Sequence, residues 1–156
     1  MNPIKERKPI KYLAVENISF DRLACTNSRF FHNRHLSIIL NDKPLNTASL
    51  QKEIIYHVAE ARLILILKGC VEVNLNLEDQ YIEQGHVLLL PADSIMELKE
   101  CSDDLEVIAF IIREKLLIDE SLVFPASPED FQQLLKMTYL IWDLTQHTPF
   151  RKDVVL

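Results

Sequence analysis

Between Ile54 and Ile112 short apolar runs alternate with polar or turn residues, at an interval too brief for helices. Runs near 54–58, 62–68, 70–77, 79–83, 86–90, 94–99 and 105–112 each have strand length, and short polar turns join them. Several short strands at that spacing predict a β-sandwich or barrel. Upstream, residues 12–15 and 36–40 predict two more strands, and Asn41-Asp-Lys-Pro-Leu-Asn46 reads as a turn cluster. The remainder of 12–53 shows no clear period.

After Phe124-Pro125 the period changes from strand to helix. Ser127-Pro128-Glu129-Asp130 supplies a hydroxyl N-cap, a proline for the first helical position and acids for the positive end of the dipole. Phe131, Leu134, Leu135, Thr138, Ile141 and Trp142 then recur at helical spacing, and Met137, Leu140 and Leu144 form a second stripe. A barrel can cover one stripe, whereas an apolar arc this wide needs a second partner. The pattern therefore predicts a homodimer built on this helix, with Phe131, Leu134, Met137, Leu140, Ile141 and Leu144 as candidates for its face. Thr148-Pro149 breaks the helix and starts another, Phe150-Arg-Lys-Asp-Val-Val-Leu156. That helix stops within its first apolar turns, which predicts that the chain is a piece of a longer one.

The chain has only two glycines, and both punctuate strands. Gly69 separates Arg62–Lys68 from Cys70–Leu77, and Gly85 opens His86-Val-Leu-Leu-Leu-Pro91. Glycine tolerates the positive φ of tight turns, so a glycine-poor chain keeps it where no other residue fits.

The 156 residues suit one domain with a small appendage. Hydrophobic content of 48 % with 26 % charged residues is ordinary globular composition and argues against disorder. Cys25, Cys70 and Cys101 contain no Cys-x-x-Cys pair, which fits thiols in a reducing cytoplasm. The basic start, Met1–Lys11, lacks an apolar signal segment, and no apolar run approaches membrane-spanning length. Net charge is −6, with +3 on the first eleven residues and −9 on the rest. That distribution argues against this chain as the part that grips nucleic acid.

The glycine and proline spacing resembles the two signature motifs of the cupin superfamily. Gly69 stands for the closing glycine of the first motif, which puts its glutamate position on Arg62 and, with four-residue spacing, its histidine positions on Ile55 and His57. The opening glycine falls on Ser49. In the second motif Gly85 and Pro91 match, the histidine position becomes Met96, the second glycine becomes Asp93 and the asparagine becomes Glu100. The resemblance implies a cupin-like double-stranded β-helix, a jelly-roll barrel, over 1–124, with the first eleven residues as a flexible arm. One or two α-helices follow over 125–156. Of four metal ligands only His57 remains, and arginine, always protonated, cannot replace one. The expectation is no metal, no cofactor and no catalytic residue. His32 and His35 read as loop or strand residues rather than ligands.

A metal-free cupin followed by apolar helices is similar to the amino-terminal half of AraC-type transcriptional regulators. In that family the barrel senses a small molecule, the helices dimerise, and helix-turn-helix motifs further on bind DNA. The resemblance implies a cytoplasmic, effector-sensing dimerisation domain, with DNA reached through a part outside this chain. Strand alternation places Ile55, His57, Arg62, Ile64, Met96 and Leu98 on one inward face as pocket candidates. Unless Arg62 turns toward the rim, it predicts an anionic effector there. Two alternatives stay open. One is a metal-independent isomerase or epimerase with His57 as base and Arg62 as anion holder. The other is a stand-alone binding or structural cupin.

Overall fold

Odd and even positions decide which surface each strand buries. In Cys70–Leu75, Val71, Val73 and Leu75 are buried while Glu72 is exposed, the signature of a strand with one wet face. In Ala61–Lys68 both Leu65 and Ile66 are buried, so that strand must be covered on two sides. The computed structural model describes residues 7–18, 28–44, 50–114 and 120–147. Its strands are β1 (Ile10–Leu13), β2 (Arg29–His32), β3 (Leu36–Asp42), β4 (Ile55–Val58), β5 (Ala61–Lys68), β6 (Cys70–Leu75), β7 (Glu78–Glu83), β8 (His86–Leu90), β9 (Ser94–Cys101), β10 (Glu106–Ile112) and β11 (Leu122–Pro125). A 3-10 turn occupies Val15–Asn17, and one helix, α1, runs Pro128–Thr145.

The strands form two sheets, ordered β1-β4-β9-β6-β7 and β11-β8-β5-β10-β3-β2. All strand pairs are antiparallel except β1 with β4. The described residues are thus mainly β, a jelly-roll-like pair of sheets followed by one helix, in line with the expected fold class. One core lies between the sheets and includes Tyr56, Val58, Ile66, Leu88, Leu90, Met96 and Leu98. A second lies on the outer face of the six-stranded sheet, where Leu65, Val87, Ile108 and Phe110 meet Phe131 and Trp142 of α1. The helix therefore explains why β5 and β10 are apolar on both faces.

All seven strands expected between 54 and 112 are present, with ends shifted by up to two residues. The run over 70–77 stops at Leu75 because Asn76 and Leu77 adopt φ of 48° and 74°, a left-handed pair that turns the chain into β7. The strand expected at 12–15 lies at Ile10–Leu13, and the 3-10 turn takes Val15. The turn expected from Asn41 begins later, since β3 continues through Asn41 at φ 55° to Asp42. β2 and β11 are additions. Their apolar pairs, Phe30-Phe31 and Val123-Phe124, sit in runs too short to carry a period. The expected second helix at 150–156, Cys25 and Ser49 lie outside the described residues.

Gly69 has φ +79°, and a Cβ there would stand 2.3 Å from Ser102 Oγ and 2.9 Å from Leu105 Cα. Turn conformation and close approach of the β9–β10 connection both require glycine. Ser127 Oγ accepts from Asp130 N at 3.1 Å, with Pro128 in the first turn, so the helix start matches its sequence signal.

Candidate functional site

Pairing register fixes which side chains share a surface. Tyr56 lies opposite Met96, while Ile55 lies opposite Glu97 and His57 opposite Ile95. Directly opposed residues point the same way, and Tyr56, Met96 and Leu98 belong to the inter-sheet core. Arg62 and Ile64 pair with Leu90 and Leu88, also core residues. Four of the six pocket candidates, Arg62, Ile64, Met96 and Leu98, therefore face inward. Ile55 and His57 do not: they lie on the outer face of the five-stranded sheet. The reason is a one-residue slip in the cupin alignment, which flips every side chain of a strand. Three-residue spacing puts the first motif's histidine positions on Tyr56 and Val58, both inward, and neither is a histidine or a carboxylate. Among the described residues no group of three His, Cys, Asp or Glu side chains converges on a metal-sized site.

His57 instead stacks edge-on against Tyr12, with ring centroids 5.0 Å apart, and its Nε2 lies 2.9 Å from Asp93 Oδ1. Asp93 was not foreseen as its partner. It sits at φ 66° in the turn before β9, where its N–H donates to Val58 O at 2.7 Å. His32 and His35 are likewise held by neighbours. His32 Nδ1 is 2.7 Å from Ser37 Oγ and 2.9 Å from an Arg113 nitrogen, and His35 contacts Glu114.

Arg62, with Asp42, is one of two charged residues buried among the described ones. It is only 8 % exposed. Its Nη2 donates to Leu13 O at 3.2 Å and to Glu60 Oε1 at 3.3 Å. The Glu60 carboxylate also accepts from Val15 N, at 3.1 and 3.2 Å, so it ties the 3-10 turn to β5. Burial pulls the guanidinium below its ordinary pKa, opposed by Glu60 and then Asp42. The expectation of an anionic effector is corrected here: Arg62 already faces an internal acid. Beside it lies a cavity of about 40 Å³ lined by Leu13, Ile18, Ile39, Leu50, Ala109, Asp42 and Arg62. Glu60 and Asp42 escaped the sequence reading. An acid two residues before an inward arginine was the available signal, since Glu60 lies in the bend that leads directly into β5.

Two larger clefts open at the surface. One of about 460 Å³ runs between Asn76 and Asp93, with Glu78 and Glu120 on its wall. The other, about 920 Å³, lies under the first half of α1 among Leu67, Tyr81, Glu83, Phe131 and Leu135.

On α1 the two stripes separate cleanly. Phe131, Thr138, Trp142 and Thr145 are buried, and Leu134 packs against the same core. Phe131 and Leu134, candidates for a dimer face, thus belong to the barrel contact. Met137, Leu140, Ile141 and Leu144 remain exposed, at 56, 60, 38 and 44 %. Arg29 stands over the Trp142 ring at 5.7 Å and secures the end of the buried stripe. No helix among the described residues is long and apolar enough to cross a membrane.

No family model and no curated protein sequence matches the chain. Solved structures do. Ligand-free variant ToxT from Vibrio cholerae aligns with TM-score 0.47 and 14 % identity over 70 % of this chain and 49 % of that one. Wild-type ToxT with bound unsaturated fatty acid gives 0.41 and 18 % over 69 % and 47 %. A glyoxylate-induced protein of Pseudomonas aeruginosa gives 0.42 and 11 % over 59 % and 36 %. The chain spans about half the length of the ToxT structures it matches. At these TM-scores the likenesses carry no functional argument.

Proposed function

We propose that this chain is the effector-sensing and dimerisation domain of an AraC-type transcriptional regulator, whose DNA-binding helix-turn-helix motifs lie in a part of the parent outside this chain. The observation that supports it is the division of α1. One stripe covers the outer sheet face, and the other, Met137, Leu140, Ile141 and Leu144, is exposed on the side away from the barrel. A second copy is the partner with the same stripe to cover, in a closed two-fold pairing. The effector is placed inside the barrel, where an otherwise aliphatic cavity carries the polar groups Arg62 and Asp42. DNA is assigned elsewhere because the chain carries net −6.

The isomerase alternative needs His57 and Arg62 at one substrate, and the two point to opposite faces of their sheets. The stand-alone cupin alternative leaves the exposed stripe without a role. Sedimentation velocity tests the proposal. Wild-type chain is expected to sediment as a dimer at micromolar concentration, and Leu140→Asp as a folded monomer. A wild-type monomer at high micromolar concentration overturns it.

A further inference from the structure

The interior cavity carries information about the ligand itself, on the premise that the barrel senses an effector. Its volume is about 40 Å³. One water needs roughly 10–15 Å³ measured this way, so there is room for a ligand of about three or four non-hydrogen atoms. The wall is aliphatic apart from Arg62 and Asp42. Arg62 is more than nine-tenths buried. Its Nε–H is the one buried side-chain polar group among the described residues left without a hydrogen-bond partner. A buried donor without an acceptor is a defect that a bound acceptor repairs.

Charge decides what kind of acceptor. Arg62 brings +1, and the Glu60 carboxylate, 3.3 Å away, already offsets it, with the Asp42 carboxylate also on the cavity wall. An anion would add a like charge inside a low-dielectric wall, where repulsion is largest. A cation would meet the guanidinium and aliphatic carbons. A neutral oxygen satisfies the donor and adds no charge. The geometry points to a small neutral ligand, an aliphatic body bearing one carbonyl or hydroxyl oxygen, with that oxygen accepting from Arg62 Nε–H. This rests on the effector reading and names its ligand class.

The test uses three four-heavy-atom probes on the wild-type chain: acetone, its anionic counterpart acetate, and isobutene, which has the shape without the acceptor. The NMR cross-peak of Arg62 Nε–H is followed, with unfolding temperature alongside. Acetone is expected to shift that peak saturably, and acetate and isobutene to bind about tenfold more weakly. Arg62→Met should weaken acetone by about fivefold or more and leave isobutene unchanged. The wild-type titration stands by itself if that variant does not fold. Acetate binding as tightly as acetone makes the site anionic and overturns the inference. Equal binding of isobutene reduces it to an apolar void. No probe shift, with a long-lived water cross-relaxing to Nε–H, makes the cavity a hydrated structural feature. In each of those cases a dimeric chain leaves the sensor-domain proposal standing, whereas a monomeric chain removes it and leaves the cavity result intact.

Discussion

Removing the Glu60 carboxylate should destabilise the fold far more than a surface ion pair would suggest. Side chains of Arg62 and Glu60 are 10 and 15 % exposed, so the pair is screened little by water. Taking one partner from a buried pair costs about 3–5 kcal/mol, because the other charge stays buried without compensation. Here Leu13 O and the nearby Asp42 retain part of the compensation, so Glu60→Ala is expected to cost about 2–3 kcal/mol. For a chain of this size that lowers the unfolding temperature by about 4–12 °C. Arg62→Met leaves the Glu60 carboxylate with Val15 N as its remaining donor and should also destabilise, by about 1–2 kcal/mol, whereas the double variant removes both buried charges. The double variant should then lie closer to wild type than Glu60→Ala does, giving a coupling of at least about 1.5 kcal/mol. Urea unfolding of all four proteins, followed by circular dichroism, closes the cycle. Glu60→Ala costing under about 0.5 kcal/mol, or additive single effects, would mean that the pair behaves as an exposed one, and the buried-clasp reasoning would fail.

Further predictions concern turns and pH. Gly69→Ala should destabilise by about 2–4 kcal/mol, since it adds a clash with the 102–105 loop to the strain of positive φ, whereas Gly85→Ala, with φ +88° but open space around it, should cost about 1 kcal/mol; equal effects in thermal unfolding would refute the close-approach argument. Leu77 is 90 % exposed at φ 74°, so Leu77→Gly should stabilise the hairpin by about 0.5–1 kcal/mol, and a loss of stability would show that the side chain has a contact of its own. The hydrogen bond from Lys8, with help from Lys99, holds the Glu97 carboxyl below its ordinary pKa. A lowered carboxyl contributes stability above its unfolded value of about 4.3 and loses it as pH falls through the folded value, so Glu97→Gln should flatten the acid limb of the stability curve and change little in its shape above about pH 5; unchanged acid limbs would contradict that.

Much of the fold was legible because strand alternation and helix capping are local. The runs from Ile54 to Ile112, the two turn glycines and the Ser127-Pro128 start each sit in a stretch whose own residues determine its state. β2 and β11 were not legible, since four-residue edge strands are specified by the neighbour they pair with rather than by their own period. The site was half legible. Arg62, Ile64, Met96 and Leu98 point inward as expected, but a one-residue spacing choice in the cupin motif placed Ile55 and His57 inside when Tyr56 and Val58 occupy that surface. The partners that set Arg62's chemistry, Glu60 and Asp42, depend on tertiary packing: Asp42 arrives from β3 across β10. On α1 the sequence showed two apolar stripes, and only packing reveals that Phe131 and Leu134 belong to the barrel.

The central claim is that this domain brings two copies of a DNA-binding protein together through the outer stripe of α1. The most direct measurement fuses the chain to a helix-turn-helix domain that binds its operator only as a dimer, and follows repression of a reporter under that operator. The account predicts repression by the wild-type fusion and loss of repression by the Leu140→Asp and Leu144→Asp fusions at equal protein levels. No repression by the wild-type fusion, or undiminished repression by both variants, would contradict it.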